Sequence, residues 1–96
     1  MERFMLYLVA RLTPRPEVFE ETKTSVASII APTRKEPGCQ RFELHSDDEH
    51  LYLVEAWDDE AALDFHYAQP YTSAVMSANE DRLVSSPRIE KMHLVA

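Results

Sequence analysis

The stretch Leu51-Tyr-Leu-Val-Glu-Ala-Trp57-Asp-Asp-Glu-Ala-Ala-Leu-Asp-Phe-His66 constrains the fold of this chain more than any other. It begins as an apolar run with β-branched and aromatic residues, the pattern of a strand. It stops at Asp58-Asp59, either of which can cap a helix, and Glu60 adds negative charge where a helix N-terminus favours it. Residues 60–68 hold no Gly, Pro or β-branched residue, so a short helix follows. Trp57 then stands at the end of a strand and His66 on the helix that folds back beside it. An indole facing an imidazole across a strand–helix corner is the candidate site. The alternative is that Trp57 is core and His66 a partly exposed helix residue.

The flanking chain supplies the partners of this corner. Phe4 to Leu12 reads as a strand, ended by Thr13-Pro-Arg-Pro16, where two prolines fix φ and remove donors. From Glu17 the period changes: Val18, Thr22, Val26, Ile29 and Ile30 recur at helical spacing, with Glu17, Glu20, Glu21 and Lys23 outside. Pro32 kinks or ends that helix. Glu36-Pro-Gly-Cys39 is a turn in which Gly38, the only glycine of the chain, takes positive φ. Gln40 to His45 is a strand with Phe42 and Leu44 on one face and Arg41, Glu43 and His45 on the other. Ser46-Asp-Asp-Glu49 marks a hairpin turn, and His50 to Trp57 returns antiparallel. After the His66 helix, Gln69-Pro70 breaks the chain. A further helical segment runs from Tyr71 to about Leu83, with Val75, Asn79 and Leu83 on one side. Ser85-Ser-Pro87 closes it, and Arg88 to Val95 is the last strand. Neither a linker nor a repeat divides the chain, so residues 1–96 are expected to form one domain.

The order β-α-β-β-α-β, with the second helix split, predicts an α+β fold. Right-handed crossovers give a four-stranded antiparallel sheet with helices on one face, the ferredoxin-like arrangement. Apolar residues then occur at both parities of the strands. Met5, Val9, Leu53, Trp57, Ile89 and Val95 are odd; Phe4, Leu6, Leu8, Phe42, Leu44, Val54, Met92 and Leu94 are even. Helices cover one face only, so the other calls for a second copy packed sheet to sheet, and a homodimer is expected. If the even positions face the helices, Trp57 points away from them unless a bulge shifts its strand end.

Several classes of function are disfavoured. A net charge of −7 and the absence of a basic stripe argue against nucleic acid as a partner. No apolar run reaches the roughly 20 residues of a membrane span, and nothing at the N-terminus reads as a signal peptide. One cysteine, Cys39, forms no internal disulfide and is best read as a small buried hydrophobe, which suggests a reducing, cytoplasmic setting. The four histidines, at 45, 50, 66 and 93, include no pair at the i,i+4 spacing of a helical metal site, so no metal is expected. Phosphate loops, nucleophile elbows and dinucleotide fingerprints are absent, and no cofactor is expected.

Glu36-Pro-Gly-Cys39, then Phe42-x-Leu44, Glu55-x-Trp57, Ala62-Leu63-x-x-His66 and a Ser-x-Pro before the final strand resemble the antibiotic biosynthesis monooxygenase family. The likeness runs in order through nearly the whole chain, and Ile30-Ala-Pro-Thr-Arg34 leading into the turn adds to it. It implies a ferredoxin-like subunit that dimerises through its sheet into an α+β barrel. Members include cofactor-free monooxygenases of phenols and quinols, haem-degrading enzymes, and an isomerase of a signalling sugar phosphate. Trp57 and His66 match the family's strand tryptophan and helix histidine, which line a pocket between sheet and helices. The asparagine that haem-degrading members carry on the first strand is missing from residues 4–12, where Tyr7 is the only neutral hydrogen-bonding side chain.

The resemblance implies a quinol-monooxygenase-like, cofactor-independent oxygenase acting with O2 on a small phenolic or quinol substrate. His66 and Trp57 are the catalytic candidates. His66 would accept a phenolic proton, since an unperturbed imidazole titrates near ~6.5. Trp57 would stack on the substrate ring and exclude water. Tyr7, Leu63, Tyr71 and Val75 are the expected substrate contacts. The alternatives are an isomerase of a small carbonyl or sugar-phosphate compound, whose phosphate would call on Arg11, Arg41 or Lys91, and a non-catalytic small-molecule-binding dimer.

Overall fold

The computed structural model describes residues 5–96. The expected elements form in the expected order: β1 (Leu6–Leu12), α1 (Phe19–Ala27), α2 (Ile30–Arg34), β2 (Cys39–Ser46), β3 (Leu51–Trp57), α3 (Glu60–Tyr67), α4 (Pro70–Asn79) and β4 (Arg88–Met92). Phe4 lies outside the described residues, and the last strand ends at Met92 rather than Val95. The sheet is antiparallel throughout, in the order β2-β3-β1-β4, with the helices on one face. This is the ferredoxin-like α+β arrangement.

Both helical regions are split. Pro32 lacks the N–H that would bond to the Ser28 carbonyl, and its ring would collide with that carbonyl. The helix therefore ends a full turn before the proline, at Ala27, where Ser28 Oγ donates to the Ser25 carbonyl at 2.6 Å. Pro32 itself sits in the first turn of α2, where no N–H is needed. In the second region Pro70 is the first residue of α4. The Thr13–Arg15 segment after β1 is tied to the end of this region, with Arg15 N–H donating to Arg82 O and Val84 N–H to Thr13 O, both at 2.8 Å.

The register corrects the parity argument. Leu6 pairs with Trp57, Leu8 with Glu55, Ala10 with Leu53 and Leu12 with Leu51. Cross-strand partners share a face, so even positions of β1 lie beside odd positions of β3, and Trp57 faces the helices without any bulge in its own strand. Phe42 and Leu44 of β2 and Ile89 of β4 join them. The irregularity falls instead in β2, between Cys39 and Arg41. The helix-facing layer is nearly all apolar: Leu6, Leu8, Leu12, Phe42, Leu51, Trp57 and Leu63 are buried together with Val26 and Ile29 from the first helical region. The open face is more mixed than the parity sets suggested. Tyr7, Val9, Val54, Ala56 and Met92 share it with Arg11, Arg41, Glu43, His45, Arg88 and Glu90.

Candidate active site

The strand–helix corner forms as expected. Asp59 is the cap, its Oδ1 accepting from Ala62 N–H at 2.9 Å. Asp58 is occupied otherwise: its N–H donates to the Gly38 carbonyl at 2.8 Å, and its Oδ1 accepts from Gln40 Nε2 at 2.9 Å. Gly38 has φ +81°, and a Cβ there would lie 2.6 Å from Ala62 Cβ, so the glycine lets the turn touch the first turn of α3. From that anchor α3 buries Ala62, Leu63 and His66 against the sheet.

His66 is 3% exposed and sits in an aromatic cluster. Its ring centroid is 5.0 Å from Trp57 at an interplanar angle of 35°, and 5.1 Å from Phe42. Phe42 meets Trp57 edge-on at 6.1 Å. The imidazole is oriented by a residue that the sequence reading treated only as part of a turn. Glu36, buried, places both carboxylate oxygens against His66 Nδ1, at 3.1 and 3.2 Å. Tyr71 Oη donates to Glu36 Oε2 from the other side. A carboxylate partner holds the proton on Nδ1 and leaves Nε2 as the acceptor. Among the described residues Nε2 has no partner. Burial and the Glu36 hydrogen bond push the Tyr71 phenol up to about 12, so it stays a donor.

A second buried carboxyl was equally missed as a site residue. Glu55, 5% exposed, stands on the helix-facing side of β3 between Leu53 and Trp57, and its Oε1 accepts from Trp57 Nε1 at 2.9 Å. Burial raises its pKa to about 7; the indole N–H opposes the rise and nearby Glu36 adds to it. The readable signal was the alternation Leu51, Leu53, Glu55, Trp57, with an acid in a row otherwise apolar.

Between the sheet and α4 lies a cavity of about 740 Å³. The sheet contributes Ala10, Leu53, Glu55 and Ile89, α3 contributes His66 and Tyr67, and α4 contributes Thr72, Val75 and Met76. Thr72 Oγ1 is buried with no hydrogen-bond partner, a spare polar atom in an apolar wall. Of the expected site residues, His66 and Val75 are in the wall. Trp57 and Leu63 are fully buried behind it, at 0% and 1% exposure. Tyr71 is engaged at the Glu36 carboxylate. Tyr7 is on the opposite face of the sheet, paired with Ala56 and Met92, because β1 presents its even residues to the helices. It does not share this cavity. A smaller hollow of about 460 Å³ runs along Arg34 and residues 39–43, away from His66. Among the described residues no cluster of three or more His, Cys, Asp or Glu side chains is arranged to hold a metal, and no helix is long and apolar enough to cross a membrane.

Fold and site together define a ferredoxin-like α+β domain that turns a carboxylate-oriented histidine toward a cavity between sheet and helices. Residues 5–78 match the family model described as antibiotic biosynthesis monooxygenase, and the chain belongs to that family. It is 33% identical over 66 residues to Rv0793 of Mycobacterium tuberculosis, whose name proposes it as a monooxygenase; the match covers 67% of this chain and 65% of that protein. It is 28% identical over 94 residues to the uncharacterised sll1783 of Synechocystis, covering 95% of this chain and 63% of that protein. The chain thus spans a little under two-thirds of these two relatives. The solved structure of Rv0793 superposes with a TM-score of 0.91, at 23% identity over 96% of each chain. Protein SO0527 of Shewanella oneidensis superposes with a TM-score of 0.86, at 31% identity, over 97% of this chain and 93% of that one.

Proposed function

We propose that this protein is a cofactor-independent monooxygenase that inserts one oxygen atom of O2 into a small phenolic or quinol substrate. The observation that carries this reading is His66 itself: Nδ1 is fixed by the Glu36 carboxylate, and the ring forms part of an apolar cavity wall. Such a ring is a general base that need not reorient to accept a proton. His66 Nε2 takes the phenolic proton, the electron-rich phenolate reduces O2, and the apolar walls keep water from the reactive intermediate. Trp57 acts through His66 rather than on the substrate, because it is sealed behind the imidazole.

The position of the cations favours this reading over a sugar-phosphate isomerase. Arg11 and Arg41 lie on the open face of the sheet, and Lys91 is paired with Glu60 at 3.2 Å. None of the three lines the cavity. The open face, with Val9 and Val54 on its two central strands, is the surface through which we propose that two copies join as a homodimer. A stable interface of that kind buries on the order of 2,000 Å² in total. Sedimentation equilibrium should give a dimer at micromolar concentration; a folded monomer refutes that assembly. The activity is tested with an oxygen electrode over a panel of hydroquinones and polyphenols, with metal and flavin excluded. Uptake of one O2 per quinone formed is expected, and no uptake above the uncatalysed rate on any of them refutes the oxygenase reading.

A further inference from the structure

Glu55 has no structural need to be an acid. Leu51, Leu53 and Trp57, its neighbours on the same face of β3, are apolar, and its cross-strand partners are Leu8 and Phe42. A buried carboxyl at such a position costs stability unless something uses it. One oxygen accepts from Trp57 Nε1, while the other, Oε2, has no hydrogen-bond partner among the described residues. The side chain forms part of the cavity wall, as His66 does from α3. The titratable groups around it are Glu36 from the turn before β2, Cys39 on β2, and His66 and Tyr67 on α3, with no lysine or arginine among them.

We propose that Glu55 is a second catalytic residue, the acid that protonates the peroxide formed in the reaction set out above. This rests on the oxygenase reading. His66 first removes the phenolic proton. The phenolate transfers two electrons, one at a time, to O2 as a bond forms between a ring carbon and oxygen. Glu55 protonates the distal peroxide oxygen, giving a hydroperoxide and a Glu55 carboxylate. That carboxylate then removes the hydrogen of the same ring carbon; the C–H electron pair forms the carbonyl, the O–O bond breaks, and hydroxide leaves with the proton held on His66 as water. Phenol and O2 become quinone and water, and both side chains return to their starting protonation states.

The chain has one tryptophan, bonded to this carboxyl, so intrinsic fluorescence reports on Glu55 without turnover. In a His66→Ala background, where the imidazole 5.0 Å from Trp57 no longer contributes, fluorescence should change through a single transition around pH 7, where burial places the carboxyl, and Glu55→Gln should abolish it. Glutamine keeps the shape and the acceptor for Trp57 Nε1, so the circular dichroism spectrum should not change. In oxygen uptake, Glu55→Gln should lower kcat by about a hundredfold or more with KM little altered, and wild-type kcat should fall as pH rises through about 7. Glu55→Asp, which keeps an acid, should recover part of the rate. Full kcat in Glu55→Gln on a substrate that the wild type oxidises overturns the acid role while leaving the oxygenase reading intact. A fluorescence transition that survives Glu55→Gln in the His66→Ala background overturns it as well. A wild type that consumes no O2 with any phenol defeats the oxygenase reading and the acid role with it.

Discussion

Replacing Gly38 by alanine tests how the site is anchored, and the expected loss can be worked from the geometry. Gly38 sits at φ +81°, in the left-handed region where an L side chain costs about 1 kcal/mol. The added Cβ would also meet Ala62 Cβ at 2.6 Å, nearer than carbon atoms approach. Ala62 is a buried residue in the first turn of α3, with no rotamer to move, so either the turn or the helix must shift. Overpacking of that kind costs about 1–3 kcal/mol. The stiffer unfolded chain gives back roughly 0.4–1 kcal/mol. A net loss of about 1–3.5 kcal/mol is expected, a large fraction of the stability of a small domain. In thermal unfolding followed by circular dichroism, this lowers Tm by roughly 5–25 °C. Because α3 carries His66, the variant's remaining folded fraction should also lose turnover. A Tm within about 2 °C of wild type would show that neither the left-handed backbone nor the contact with Ala62 matters, and the anchoring argument fails.

Two further predictions concern the buried acid and the indole. The Glu55 pKa rises on folding from 4.5 to about 7, so between those values the folded state binds more protons than the unfolded one, and stability falls as pH rises. Urea unfolding at pH 5 and pH 8 should show wild type losing up to about 3 kcal/mol that Glu55→Gln does not lose; equal pH dependence in the two proteins refutes the assignment. Trp57→Ala removes a fully buried ring that touches both Phe42 and His66 and donates to Glu55, and should destabilise by about 3–5 kcal/mol in the same assay. A loss under about 1 kcal/mol would mean that the ring is not packed as described.

The elements that local chemistry determines were legible in the sequence. The strand ending in Trp57, the aspartate cap, the helix carrying His66 and the positive φ of Gly38 follow from residues adjacent in the chain, and they form as read. What depends on register was not. Whether Leu6 pairs with Trp57 or with its neighbour is decided by the whole sheet, and a slip of one residue reverses a strand. Parity along one strand therefore leaves open which face Trp57 takes, and it does not reveal that Tyr7 lies on the face opposite His66. Glu36 was read as a turn residue because its partner lies 30 residues away, across a tertiary contact with no local signature. Glu55 reads in sequence only as part of the Glu55-x-Trp57 pattern, although an acid in an apolar alternation marks either an edge or a site. The break at Ser28 was also readable, since a proline disturbs the helix four residues before itself rather than at its own position.

The central claim is that His66, held by Glu36 and turned toward the cavity, is the base. Oxygen uptake by His66→Ala, measured on the best phenol or quinol found for the wild type, tests it most directly. Imidazole loss should lower kcat by about a hundredfold or more, with the circular dichroism spectrum and sedimentation behaviour of the wild type retained. A His66→Ala protein that is folded and oxidises that substrate at the wild-type rate would place the base elsewhere and contradict the account.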